Sequence, residues 1–183
     1  MALRTIRESG DPILRKISKP VKEMTPRTRE LIADLIESMH AADGVGLAAV
    51  QVGVLKRIAV VWVPDPYSDD TPEDEINDLT HSFGEEIVMV NPVWETLDDT
   101  VQTGSEGCLS VPGKYGTVTR PDHIMLHAYD ENMEAYELEA MGLLARAICH
   151  ECDHLDGILY IDKVEGDIYE ATQDEEEEDE EES

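Results

Sequence analysis

Residues 150–154 read His150-Glu151-Cys152-Asp153-His154, an H-E-x-x-H pattern. Two histidines four positions apart on a helix lie one turn apart on one face, so both imidazoles can reach a single metal ion. The glutamate between them sits beside that face, where it can contact a water bound to the ion. A catalytic site of this type usually has three protein ligands and one open position, so a third ligand must come from elsewhere. Cys108 is the best candidate. It lies in Gly104-Ser105-Glu106-Gly107-Cys108-Leu109-Ser110, a polar, glycine-flanked stretch where backbone can approach a ligand closely. A thiolate is a strong ligand for Zn or Fe, although a lone cysteine is more often a buried core thiol. Cys149, Cys152, Asp153, His123 and His127 compete for the third place. Cys149 and Cys152 have a Cys-x-x-Cys spacing around His150, which invites a structural zinc or redox reading. On this helix, however, they point away from the line of the two histidines.

A second segment, Gly44-Val45-Gly46-Leu47-Ala48-Ala49-Val50-Gln51, is a glycine-rich loop opening into small residues. No Lys-Ser/Thr follows, so it is not a phosphate loop. Structurally it reads as a helix stop followed by a tightly packed extended segment. Functionally it reads as an edge where a peptide-like substrate pairs with backbone, with Gln51 offering an amide donor.

The elements that must position these groups follow from periodicity and punctuation. Thr25-Pro26 marks a helix start, an N-cap with proline at the first helical position. Leu31, Ile32, Leu35, Ile36 and Met39 recur at helical spacing until Asp43-Gly44. Arg57 to Val63 predicts a buried strand and Ile87 to Val90 a short one. His123–Tyr129 and Glu134–Ala140 predict a strand pair joined near Asp130–Asn132. The helical pattern returns from Met141 to about Leu155, ends at Asp156-Gly157, and is followed by a short strand at Ile158–Ile161. A helix, several strands and a late helix argue for an α+β fold of mostly antiparallel sheets, packed around the helix that carries H-E-x-x-H.

The chain has 183 residues and a net charge of −28. Residues 174–182 are nine consecutive acids, and 64–86 hold nine more with no lysine or arginine. Without these two stretches 24 acidic residues face 14 basic ones, a net charge of about −10. Such blocks repel themselves and stay solvated. The expected organisation is a catalytic domain over 1–165 with an acidic loop insertion at 64–86, then a disordered acidic tail over 166–183. Direct nucleic-acid binding is not expected, because binding phosphates needs a basic face. No apolar run approaches the ~20 residues that span a bilayer, and Met1–Gly10 lacks a signal-peptide apolar region. Three cysteines make no disulfide framework. A cytoplasmic protein with no membrane partner is expected.

Together, Gly44–Gln51 (G-x-G-L-A-A-x-Q), Glu106–Ser110 (E-G-C-L-S) and His150–His154 (H-E-x-D-H), in this order, resemble peptide deformylase. The resemblance extends to Asp11-Pro12-Ile13-Leu14 and Asn91-Pro92 and spans roughly residues 1–165. It implies removal of the formyl group from N-formyl-methionyl peptides, releasing formate. It also implies one divalent metal ion, Fe(II) in the cell with Zn or Ni as alternatives, on Cys108, His150 and His154. A metal lowers the pKa of its water, Glu151 would take that proton and pass it to the leaving amine, and Gln51 with the Leu109 N–H would steady the oxyanion. Val45, Gly46, Glu106 and Gly107 would line the substrate, with Gly46 presenting backbone. Arg120 would pair with Glu106 to prop the cysteine loop.

Three features depart from that pattern. Cys149 stands where the family often has glutamine, 64–86 is inserted between strands, and the C-terminus is acidic where some members carry a basic helix that docks on the ribosome. Two other readings compete: an H-E-x-x-H metallopeptidase and a non-catalytic formyl-peptide binder. After His154 there is no further histidine, the metallopeptidase reading leaves the Cys108 segment unexplained, and a relic would be expected to have lost Glu151 or a ligand.

Overall fold

The computed structural model describes residues 2–65 and 83–171. Most of the acidic 64–86 segment and residues 172–183 lie outside the described residues. The fold is α+β, with two antiparallel sheets. The first has five strands in the order β1 (Gly46–Ala48), β2 (Ile58–Val61), β3 (Ile87–Thr96), β6 (His123–Tyr129) and β7 (Ala135–Met141). The second has three, β4 (Val101–Cys108), β5 (Val111–Pro121) and β8 (Glu165–Glu170), with β5 in the middle. Helices α1 (Pro26–Ala41) and α2 (Gly142–Leu155) complete the fold.

The large sheet is covered on both sides, and β2 shows how. Strand side chains alternate between faces. Ile58 and Val60 join Leu31, Leu35 and Met39 of α1, whereas Ala59 and Val61 join Leu144, Ile148 and Leu155 of α2. All four β2 residues are buried, which explains the unbroken apolar run in the sequence. Thr25 caps α1 as expected: its hydroxyl accepts from the Thr28 N–H at 3.2 Å, with proline following.

In β3 the pairing with β6 shifts between Val90 and Val93. Asn91 there has a φ of 50°, a left-handed conformation that asparagine tolerates. Its amide exchanges two 2.8 Å hydrogen bonds with the Val21 backbone, pinning the N-terminal segment to the sheet.

Three expectations need correction. Residues 158–161 are not a strand: a 3-10 turn spans Tyr160–Asp162, closed by the Asp162 carboxylate, which accepts from the Leu159 N–H at 3.1 Å. Residues 165–170 form β8, paired with β5, so they belong to the second sheet and not to a tail. Finally, β3 runs on to Thr96 and does not stop at Val90; β4 and β5 were not predicted as strands, their outer residues being largely polar and exposed. No described helix is long and apolar enough to cross a membrane.

Candidate metal centre

Helix α2 contacts strands of both sheets. Its apolar side enters the core through Leu144, Ile148, Cys152 and Leu155, while Arg146 and His150 reach Glu106 of β4 and His154 reaches Cys108 at its end. Cys108 ends β4 at a pairing irregularity beside Gly107. The Sγ of Cys108 lies 3.3 Å from Nε2 of His154, and that nitrogen lies 3.2 Å from Nε2 of His150. One ligating atom from each of the three residues falls within 4.8 Å of the others. No other such group of histidine, cysteine or acidic residues occurs among the described residues.

These spacings fit a metal ion. Ligand distances of about 2.0–2.1 Å to nitrogen and 2.3 Å to sulfur, at tetrahedral angles, separate donors by roughly 3.3–3.6 Å. The orientation of His150 fits as well. Glu106, an acceptor held far below the usual carboxylate range, lies 2.6 Å from Nδ1 of His150. Nδ1 therefore donates to Glu106, which leaves Nε2, the nitrogen that faces His154, as the one that would ligate a metal ion. Burial above all pushes the His154 pKa well below its ordinary value. Three donor atoms this close, two of them imidazole nitrogens buried in protein, call for positive charge between them.

Glu106 is the hub of the surroundings. Oε1 accepts from His150 and, at 2.6 Å, from Arg120; Oε2 accepts from Arg146 at 2.7 Å and from Arg120 Nε at 3.2 Å. Arg120 also donates to Asp153 at 2.6 Å, tying β5 to α2. Burial opposes the Glu106 charge, but His150 and Arg120 overcome it. Glu106 was expected against substrate. It lines the cleft, and its carboxylate oxygens are engaged by His150, Arg120 and Arg146.

Glu151 is 3% exposed, and burial lifts its pKa to about 7. Its Oε2 has no hydrogen-bond partner among the described residues. Its other oxygen presses on Gly46, where an added Cβ would sit 2.5 Å from Oε1. Gly46 is thus required by the close approach of the acid. Gln51 is fixed at both ends: Oε1 accepts from the Ala48 N–H at 2.9 Å, and Nε2 donates to Ser110 Oγ at 3.0 Å while facing Cys108 Sγ at 3.7 Å.

A cleft of about 440 Å³ opens over these groups and is lined by Val45, Gly46, Gln51, Gly107, Leu109 and Glu151 among others. The structure brings together every site residue expected from the sequence except Arg120, which stands behind Glu106 and touches the site through it. Cys149 and Cys152 lie in the apolar core, where burial pushes their thiols up, and take no part. Of the other candidates, His123 and His127 pair with carboxylates elsewhere, and Asp153 pairs with Arg120 and Lys163. Sequence reasoning missed Arg146, Tyr115 and Leu143, which also line the cleft. Arg146 precedes His150 by four residues, a spacing that could have revealed it.

The polypeptide deformylase family model matches residues 3–167. A peptide deformylase of Lachnoclostridium phytofermentans is 49% identical over 98% of this chain and 100% of its own length. That of Agathobacter rectalis is 50% identical, over 94% of this chain and 96% of its own. Among solved structures, peptide deformylase from Ehrlichia chaffeensis superposes with a TM-score of 0.79 at 35% identity, covering 90% of this chain and 89% of that one. The same enzyme in complex with actinonin gives 0.78 at 36% identity, over 90% of each chain.

Proposed function

This chain belongs to the polypeptide deformylase family, and from that premise we propose that Cys108, His150 and His154 hold its single catalytic metal ion. The reaction is removal of the N-terminal formyl group from newly made polypeptides. The observation that carries the ligand assignment is the convergence of the Cys108, His150 and His154 donor atoms. A soft thiolate with two imidazoles suits Fe(II), Zn or Ni, and we assign Fe(II) in the cell. When bound, the ion lowers the pKa of its water toward neutrality.

The residues around it divide the remaining work. Glu151, buried and with a pKa of about 7, is poised to take the attacking water's proton and return it to the departing amine. The Gln51 amide, fixed by Ala48 and Ser110, and the Leu109 N–H steady negative charge on the formyl oxygen. Strand β1 is an edge of its sheet, so Val45 and Gly46 can pair with the backbone of an extended peptide. Gly107 lines the cleft opposite, where an added Cβ would strike the Tyr115 ring at 2.8 Å. We place the catalytic domain over 2–171, because β8 completes the second sheet, and leave the acidic stretches outside the chemistry. Among the described residues no basic helix follows α2, and we assign no ribosome contact to β8.

The test is Glu151→Gln in the metal-loaded protein, assayed for formate release from a formyl-Met peptide. A fall of at least ~10²-fold with metal content unchanged is expected. Unchanged turnover would exclude Glu151 as the proton carrier. Cys108→Ala is expected to strip the metal, and loss of metal from Cys149→Ala instead would overturn the ligand set.

A further inference from the structure

We infer that Arg146 is a positioning residue of the metal centre, acting through Glu106 to fix the imidazole of His150. This rests on the metal assignment above. Arg146 and His150 are four residues apart on α2 and so share a face, and both reach the same carboxylate: His150 takes Oε1 at 2.6 Å and Arg146 takes Oε2 at 2.7 Å. Without Arg146, Oε2 would keep only the 3.2 Å bond from Arg120 Nε. The carboxylate could then turn about its terminal torsion and release the ring it orients.

Arg146 is itself held rigidly. It is 7% exposed and donates to the carbonyls of Val118 at 3.0 Å and Gln102 at 3.2 Å. Its guanidinium therefore joins α2 to both β4 and β5 at the level of the metal ligands. Arg146 also shares the charge of Glu106 with Arg120, while Asp153 is faced by Arg120 and, at 3.5 Å, by Lys163. A histidine ligand depends on the group that holds its other nitrogen, and losing such a group typically costs ~10–100-fold in metal affinity.

The experiment uses the full chain loaded with Co(II) alone. Arg146→Gln is expected to release Co(II) to a chelator ~10–100-fold faster than wild type, with KM for a formyl-Met peptide little changed. Arg146→Lys, which keeps a cation for Oε2 but not the fork to two carbonyls, is expected to recover most of that loss. In Glu106→Gln, adding Arg146→Gln should accelerate release little further. Unchanged Co(II) release in Arg146→Gln, no recovery by lysine, additive effects with Glu106→Gln, or a rise in KM alone would each overturn the inference. Arg146→Met, which preserves the packing of the stem, carries the same test if the glutamine variant does not fold. Cobalt stoichiometry of the wild type and of Cys108→Ala reads the underlying metal assignment separately.

Discussion

Helix α2 has two faces that do different work. The face toward the five-stranded sheet is apolar, with Leu144, Ile148 and Leu155 fully buried among Ala59, Val61 and Met89. The face toward β4 and β5 carries Arg146, His150 and Asp153, joined to Glu106 and Arg120 by charged hydrogen bonds. Apolar burial has no preferred direction, so the first face decides where the helix lies. Hydrogen bonds between charged groups are directional, so the second decides which way the ligands point. The site needs both, and substitutions should separate them.

The largest effect is expected on the apolar face. Ile148→Ala removes a fully buried side chain and should lower stability by about 2–5 kcal/mol, as such truncations do. Chemical denaturation measures this, and the folded fraction should still bind one metal per chain. Loss of metal from molecules that remain folded would show that the apolar face also sets the ligands. On the catalytic side, Gly46→Ala places a Cβ 2.5 Å from the Glu151 carboxylate. A misplacement of this order costs ~10²-fold in rate. The fall should appear in kcat/KM while metal content and melting temperature stay close to wild type.

The same division explains what the sequence made legible. Helix α1 announces itself because burial imposes a period on residues such as Leu31 and Leu35, and β2 because burial on both faces leaves an unbroken apolar run from Ile58 to Val61. His150, Glu151 and His154 were legible because helical spacing puts them on neighbouring positions. Cys108 by spacing alone was one of several thiols and histidines, and only its surrounding motif singled it out. The pairing of β4 with β5 was not legible, because alternate exposed residues such as Thr103 and Ser105 impose no apolar period. The fourth contact to Glu106 was also missed. Arginine at position 146 reads as a polar helix residue until the fold closes around it.

A smaller effect is expected where the second sheet ends. Tyr169 of β8 stacks on Tyr115 with ring centroids 6.1 Å apart, beside the cleft that Tyr115 lines. Such aromatic pairs contribute about 0.5–1.5 kcal/mol beyond their burial. Truncation after Val164 should therefore lower the melting temperature modestly and raise KM. Truncation after Ala171 removes only the acidic run and should change neither. If both truncations behave alike, β8 has no part in shaping the cleft.

The smallest effect separates a buried ion network from a more exposed one by pH. Glu106 is held far below the ordinary carboxylate range, and its partner Arg120 far above neutrality, so that pair should not titrate under working conditions. In the five-stranded sheet, His123 at the start of β6 lies between Asp98 at 2.7 Å and Glu139 at 2.6 Å. Hydrogen bonds to Asp98 and then Glu139 raise the His123 pKa above its ordinary 6.5. The Thr100 hydroxyl and His123 lower that of Asp98 to about 2. A histidine raised on folding stabilises fully below its unfolded pKa and loses that contribution as pH rises through the folded one. A carboxylate lowered on folding stabilises above its unfolded pKa of 3.8 and loses this as pH falls toward 2. Together half-buried His123 and its two carboxylates support the fold most between about pH 4 and 6.5, and the effect fades on either side. His123→Gln should lower the melting temperature slightly near pH 5.5 and less at pH 8.5, both approximate settings chosen to straddle that window. Equal losses at the two settings would mean that His123 acts by packing and not by charge.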